Sequence, residues 1–154
     1  ISALVNGGTV YDAHVVKKVV DSKGSTVYET EPVVYNQLDV KEEYLNALKE
    51  GMKDVISGED ATTATRQFED CIYKDQLGGK TGTAQVNNIN LENNSWFVAF
   101  APYDKPEIAI VVFIPSGYAG GYSGYTVRVI AEHYLDQKYN TQTDDIPEKD
   151  SIVY

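Results

Sequence analysis

Two apolar segments separated by a short connection constrain the fold of this chain more than any other feature. Residues 96–101 read Trp-Phe-Val-Ala-Phe-Ala, and residues 108–114 read Ile-Ala-Ile-Val-Val-Phe-Ile. Both have the length and the β-branched and aromatic content of strands. Only residues 102–107 connect them, whereas a parallel crossover takes about a dozen residues or more. The two strands are therefore predicted to pair antiparallel.

The hydrophobicity of these segments is continuous rather than alternating, which indicates strands buried on both faces. A third strand is predicted over Lys80–Val86, after a break at Gly78-Gly79, so that the three strands form a meander with the Lys80 strand on one side. Trp96 is expected to fill the core. The residues thus predict an α+β fold, with an antiparallel sheet covered by helices on both faces.

Helices are predicted both before and after the sheet strands along the chain. Asp39 reads as an N-cap, with Glu42 completing a capping box, and Gly58 ends the apolar repeat that follows. A second helix is predicted from Thr126 to Lys138, and a short one over residues 61–68. The first helix carries an apolar stripe at helical spacing, formed by Tyr44, Leu45, Leu48, Met52, Val55 and Ile56.

The two ends of the chain suggest that residues 1–139 form an incomplete domain. Ile1–Val5 reads as the last turn of a helix ended by Asn6-Gly7-Gly8, and one turn is unstable alone, so we expect the helix to begin upstream.

A hairpin is predicted from strands over residues 14–20 and 25–29. Residues 140–154 carry four acidic side chains against one lysine, which predicts a mobile acidic tail.

Composition and charge exclude several classes of function. The 154 residues include 13 Lys+Arg and 23 Asp+Glu, for a net charge of −10, which argues against binding nucleic acid or anionic lipid. Cys71 is the single cysteine, which excludes an internal disulfide, and we expect it to be a small packed residue. His14 and His133 are expected to be structural or surface residues. No metal site and no cofactor are predicted.

The sharpest motif is Gly79–Gln85, which reads Gly-Lys-Thr-Gly-Thr-Ala-Gln. A strand at a sheet edge offers backbone groups to an extended peptide, and Gly82 lets the peptide backbone approach closely. The hydroxyls of Thr81 and Thr83 can bind a carboxylate, with the Lys80 charge beside them. The backbone N–H near Thr83 can stabilise an oxyanion. Taken alone, the motif is equally compatible with an ordinary strand start made of four common residues.

With its surroundings, this motif resembles the transpeptidase domain of penicillin-binding proteins, a superfamily whose signatures include Lys-Thr-Gly. Val5–Thr9 and His14–Lys17 are similar to the family segment NGG…PHLVK. Lys80–Gln85 is similar to KTGTAQ, and Trp96–Pro102 is similar to WFVGFAP. The three segments occur in the family's order, and the resemblance is greatest to the class B, monofunctional enzymes.

The resemblance extends over most of the chain, to about Leu135, and implies the serine β-lactamase/penicillin-binding protein transpeptidase fold. It implies that Lys80 is a catalytic residue that biases charge and proton transfer. Thr81, Gly82 and Thr83 would bind the substrate, the two hydroxyls holding its carboxylate and the Thr83 N–H forming half of the oxyanion hole.

The implied reaction is acyl transfer from D-Ala-D-Ala stem peptides of peptidoglycan, by a serine-type transpeptidase or carboxypeptidase. A β-lactam would bind by mimicking the D-Ala-D-Ala end. The implied location is the extracytoplasmic face of the bacterial cell membrane, with a membrane anchor expected upstream of this chain.

Two further motifs of the family do not occur in this sequence. No serine is followed three positions later by lysine, and no Ser-x-Asn is present. In the family the first of these motifs holds the nucleophile and its base, and both precede the Lys-Thr-Gly strand. We therefore expect the N-terminal part of the same domain to lie upstream, and we predict that this chain is inactive by itself.

Two alternatives to a transpeptidase fragment stay open. A β-lactam sensor domain shares the Lys-Thr-Gly motif but signals instead of cross-linking, and a non-catalytic module would bind D-Ala-D-Ala or another peptide through the edge strand.

The incomplete domain has a further consequence. The Ile108–Ile114 strand should have an unpaired edge, and an apolar face should lack its covering helix, which predicts self-association.

Overall fold

A computed structural model describes residues 1–60, 62–86 and 91–140. The larger sheet contains β5 (Gly78–Ala84), β6 (Asn94–Ala101) and β7 (Ile108–Ile114), when strands are numbered along the chain. Its order is β5-β6-β7, and both neighbouring pairs are antiparallel. The predicted meander is confirmed, and β5 and β7 are the edge strands of this sheet within the described ranges.

The N-terminal region begins with helix α1 (Ser2–Val5), followed by strands β1 (Thr9–Tyr11) and β2 (Lys18–Val20). Strands β3 (Thr26–Glu29) and β4 (Val34–Gln37) complete it. Pairing of β2 with β3 confirms the predicted hairpin, with shorter strands. The antiparallel pairing of β1 with β4 was not predicted, because three- and four-residue strands separated by a whole hairpin carry no local pairing signal.

The helices that flank the sheet are α2 (Glu42–Ser57), α3 (Thr63–Gln67) and α4 (Ser123–Asn140). Gly58 ends α2 as predicted, but the predicted capping box is wrong, because the N-cap position is occupied by Lys41 and no side chain caps the helix. The Leu38 N–H donates to the Gly8 carbonyl at 2.9 Å, so the chain before Asp39 is still held beside β1 and turns into the helix later.

The predicted short helix is confirmed as α3, whose N-cap Thr62 and Thr65 form a reciprocal capping box. Helix α4 begins at Ser123, three residues before the predicted start. Short 3-10 turns occur at Lys74–Gln76 and Gly120–Tyr122. No helix within the described residues is both long and apolar enough to cross a membrane.

The core lies on one face of the sheet. Residues opposite each other on neighbouring strands share a face, and the register aligns Gly79, Ala99 and Ile110. Helices α2, α3 and α4 contribute buried side chains to the same cluster. Its largest fully buried members are Ile56, Phe68, Leu77, Phe97, Val127 and Leu135.

The other face of the sheet differs from the sequence-based expectation, because helices do not bury it evenly. Trp96, Val111 and Phe113 remain partly exposed on this face, and the Trp96 and Phe113 rings pack on each other with centroids 4.2 Å apart. The prediction that Trp96 fills the core is therefore wrong. A continuous apolar run cannot distinguish a face covered by helices from one that is left open. An apolar face without its covering helix was also predicted from the sequence, and this open face is such a face.

The predicted acidic tail lies almost entirely outside the described residues. Helix α4 extends to Asn140, the first residue assigned to that tail from the sequence, and residues 141–154 are not described.

Candidate active site

The Lys-Thr-Gly strand is β5, an edge strand of the larger sheet that begins with two glycines. A Cβ on Gly78 would lie 2.4 Å from the Phe100 ring, and a Cβ on Gly79 would lie 2.5 Å from Cε1 of Phe97. The missing side chains let these rings pack directly against the β5 backbone. The predicted break at Gly78-Gly79 is thus part of the strand, and Lys80 follows directly in the same edge strand.

The exposed edge of β5 borders a cleft of about 380 Å³. Lys80, Thr81 and Thr83 line it from the strand. The opposite walls come from the end of α2, the start of α3 and the loop that precedes α4, through Val55, Thr62, Thr63, Ala64, Ala119, Gly120 and Gly121. The structure therefore brings three of the four predicted site residues into one cleft, and the fourth, Gly82, lies between them in the strand.

The Lys80 side chain is exposed and folds along its own strand. Its Nζ donates to the Thr81 carbonyl at 2.9 Å and contacts Thr81 Oγ1 at 3.2 Å. The ammonium group is thus held beside the first threonine hydroxyl of the motif. This arrangement places positive charge next to a hydroxyl donor, which suits an anionic ligand group.

The Thr83 hydroxyl is held by the loop before α4. Its Oγ1 accepts a hydrogen bond from the Gly120 N–H at 2.9 Å. Gly120 lies directly against β5, because a Cβ at this position would be 2.4 Å from the Gly82 carbonyl oxygen and 2.7 Å from the Gly82 nitrogen. Gly121 is equally close to α3, where a Cβ would lie 2.6 Å from Cγ2 of Thr63. The two glycines fill the space between the strand and the helix.

Sequence reasoning did not assign α3 to the site, because its threonines carry no motif. From its sequence, the loop over residues 117–124 can either turn the chain into α4 or place Tyr118 or Tyr122 against a substrate. In the structure both tyrosines are exposed, and Ala119, Gly120 and Gly121 form the cleft wall. The pair Gly120-Gly121 could have indicated from the sequence that this loop packs closely against another element, since adjacent glycines permit close approach of two backbones.

Residues outside the cleft agree with the roles expected for them. Cys71 is buried, and burial raises the pKa of its thiol to about 11. His14 and His133 are exposed. Within the described ranges, no group of three or more His, Cys, Asp or Glu side chains is arranged to hold a metal ion.

Comparison with known proteins identifies relatives of this chain. The family model described as the penicillin binding protein transpeptidase domain matches residues 1–135. Peptidoglycan D,D-transpeptidase MrdA of Haemophilus influenzae is 29% identical, with 88% of this chain and 22% of the relative covered. Penicillin-binding protein 2A of Bacillus subtilis is 31% identical, with 90% of this chain and 21% of the relative covered. The chain thus spans about a fifth of these relatives' length.

The same fold occurs in a solved structure. Penicillin-binding protein A from M. tuberculosis, in its imipenem acyl-enzyme complex, superposes with a TM-score of 0.70 at 21% identity, covering 87% of this chain and 28% of that one. The predicted fold is therefore confirmed. Because the family model matches most of its length, the chain belongs to the penicillin-binding protein transpeptidase family.

Proposed function

We propose that this chain forms the substrate-binding wall of a peptidoglycan D,D-transpeptidase. The observation that carries the proposal is the edge strand β5, whose Lys80, Thr81 and Thr83 line one cleft together with α3 and the loop before α4. Relatives named as D,D-transpeptidase and penicillin-binding protein support this assignment. Since the chain spans about a fifth of their length, the activity is assigned to a longer protein that contains it.

In this proposal the nucleophile is a serine of an upstream Ser-x-x-Lys motif. Its oxygen attacks the carbonyl carbon of the penultimate D-alanine, the amide bond breaks, and the terminal D-alanine leaves with the proton as a free amine. The amine of a neighbouring stem peptide then attacks the acyl-serine ester, which forms the cross-link and releases the serine. Transfer to water instead would give carboxypeptidase activity.

The residues of this chain would bind and polarise the substrate. The Thr81 and Thr83 hydroxyls would donate hydrogen bonds to the substrate carboxylate. The positive charge of Lys80 beside them would bias the charge distribution and the proton transfer in the site. The Thr83 backbone N–H would supply half of the oxyanion hole. Gly82 leaves room for a peptide backbone to lie along the edge of β5. The location that suits this substrate is the extracytoplasmic face of the bacterial membrane, with an anchor upstream.

Intact-mass spectrometry after incubation with excess benzylpenicillin tests the proposal. The 154-residue chain is expected to keep its mass, because it contains no Ser-x-x-Lys pair. The longer protein, expressed with its upstream residues, is expected to gain one penicilloyl group, and peptide mapping should locate it on the upstream serine.

Other outcomes point elsewhere. A stoichiometric adduct on the 154-residue chain would show a nucleophile within it and contradict the predicted inactivity. A longer protein that stays unmodified but binds D-Ala-D-Ala peptides reversibly would favour a non-catalytic binding module. An adduct formed without any cross-linking activity would favour a β-lactam sensor domain.

A further inference from the structure

A single peptide group bridges two strands of the sheet at the edge of the cleft. The Ser95 hydroxyl donates to the Ala119 carbonyl at 2.8 Å. The N–H of the same peptide group, which belongs to Gly120, donates to Thr83 Oγ1 at 2.9 Å. Ser95 and Thr83 are direct partners in the β5–β6 register, so both hydroxyls rise from the same face. The peptide between Ala119 and Gly120 is therefore fixed at both ends.

Ser123, the first residue of α4, completes this network. Its hydroxyl oxygen contacts the Ser95 hydroxyl oxygen, and both serines are fully buried. Because the single Ser95 proton is already given to the Ala119 carbonyl, Ser123 must be the donor in the serine pair. Both hydroxyls are buried and both have hydrogen-bond partners, which avoids the free-energy cost of leaving a buried polar group unpaired.

The donors in this network all point in one direction. Ser123 donates to Ser95, Ser95 to the Ala119 carbonyl, and the Gly120 N–H to Thr83. A hydroxyl that accepts a hydrogen bond keeps its own proton free to donate, and each bond in such a chain polarises the next. The Thr83 proton is thereby left for an acceptor in the cleft, which Thr83 lines.

We propose that Ser95 and Ser123 are positioning residues that fix the Ala119–Gly120 peptide so that the Thr83 hydroxyl acts as a donor toward a ligand carboxylate. This inference rests on the proposed function and deepens it. A carboxylate only accepts hydrogen bonds, so it matches a hydroxyl whose acceptor side is already occupied. An ester at the same position has weaker acceptor oxygens and no charge. The network therefore favours ligands that end in a free carboxylate.

The test compares acylation of the longer protein by benzylpenicillin and by its methyl ester, in which the carboxylate is masked. The ratio of the two second-order rate constants measures selection for the carboxylate. Ser95→Ala is expected to slow acylation by the free acid about five- to tenfold, the effect of one lost hydrogen bond, and to leave the ester rate nearly unchanged. A loss of general stability would lower both rates together.

Four further variants make the test decisive. The double variant S95A/S123A leaves no orphaned serine hydroxyl if the single one fails to fold, and it should show the same reduced ratio. Thr83→Ser should keep the ratio near wild type, whereas Thr83→Val should define its lowest value. Ser57→Ala is the matched control, because this partly buried serine donates to the Lys53 carbonyl within α2 and should leave the ratio unchanged.

The outcomes separate the two proposals. An unchanged acid-to-ester ratio in both serine variants, with acylation intact, would overturn the positioning role and leave the proposed function standing. A wild-type protein acylated by neither compound would overturn the proposed function, and the carboxylate selection with it.

Discussion

At the residue scale, the glycines of β5 are dictated by the side chains on either side of the strand. A Cβ on Gly79 would meet Cε1 of Phe97 at 2.5 Å and Cδ1 of Ile56 at 2.9 Å. Both neighbours are fully buried in the core, so neither can swing into solvent to make room. An added methyl group must therefore displace packed atoms, which is destabilising even though the substitution increases hydrophobicity.

Gly79→Ala is expected to lower the free energy of unfolding by about 1–3 kcal/mol, measured by urea denaturation. Gly51→Ala is the control, because Gly51 lies inside α2 and nothing lies within 4 Å of its added Cβ. There the same change should stabilise the protein by roughly 0.5–1 kcal/mol, since alanine favours the helix. Shifts of the same sign in both variants would contradict the packing argument.

At the element scale, one carboxylate ties the end of α4 to the connection between β6 and β7. Glu107 Oε1 lies 2.6 Å from Lys138 Nζ, and the Tyr134 hydroxyl donates to Glu107 Oε2 at 3.0 Å. The hydrogen bond from Lys138 holds the pKa of the Glu107 carboxyl below its usual value, and the same contact raises the pKa of Lys138. The two elements are thus joined by a charge pair that depends on pH.

Glu107→Gln is expected to destabilise the protein at neutral pH and to have little effect in strong acid. Because the Glu107 pKa is lowered on folding, its contribution is present above the ordinary value of 4.5 and is lost as pH falls through the lowered pKa. The raised pKa of Lys138 means that its contribution persists below the ordinary value of 10.5 and is lost as pH rises through the raised pKa.

Urea unfolding of wild type and E107Q, from strong acid through neutral to alkaline pH, measures the difference in their free energies of unfolding. Glu59→Gln, at an exposed position in the connection between α2 and α3, controls for the change in net charge. A difference between wild type and E107Q that stayed constant from neutral pH into strong acid would rule out the charge pair as its cause.

At the scale of the whole molecule, apolar side chains remain exposed on the open face of the sheet, next to the edge strand β7. Trp96 is 37% exposed, Val111 56% and Phe113 44%, and β7 has no neighbour beyond β6 within the described residues. An edge strand next to exposed apolar side chains is a template for pairing with another chain. The self-association predicted from the sequence thus has a specific surface to which it can be assigned.

Sedimentation velocity over a range of concentrations should show self-association of the 154-residue chain, and Val111→Lys should weaken it by placing a charge beside the β7 edge. Val129→Lys is the matched control, because Val129 is also exposed but lies on α4. A wild-type chain that is monomeric at every concentration would contradict the prediction. Equal weakening by both variants would show that another surface is responsible.

The sequence by itself determined the antiparallel pairing of β6 with β7, because residues 102–107 are too few for any other connection between two apolar strands. It also determined the family, since each of the three segments that carry the resemblance is read from neighbouring residues alone. The structure places the predicted site residues Lys80, Thr81 and Thr83 along one cleft. Their roles in binding and catalysis stay predictions until the acylation experiments are done.

Only the tertiary structure decided which distant residues complete the site and which apolar residues are buried. The hydrogen bond between Gly120 and Thr83 joins residues 37 positions apart, and that between Ser95 and Ala119 joins residues 24 positions apart. Trp96 and Phe97 are adjacent in a uniformly apolar run, yet one is partly exposed and the other fully buried. Both outcomes depend on which elements pack against each other, and local sequence patterns carry no information about contacts over such distances.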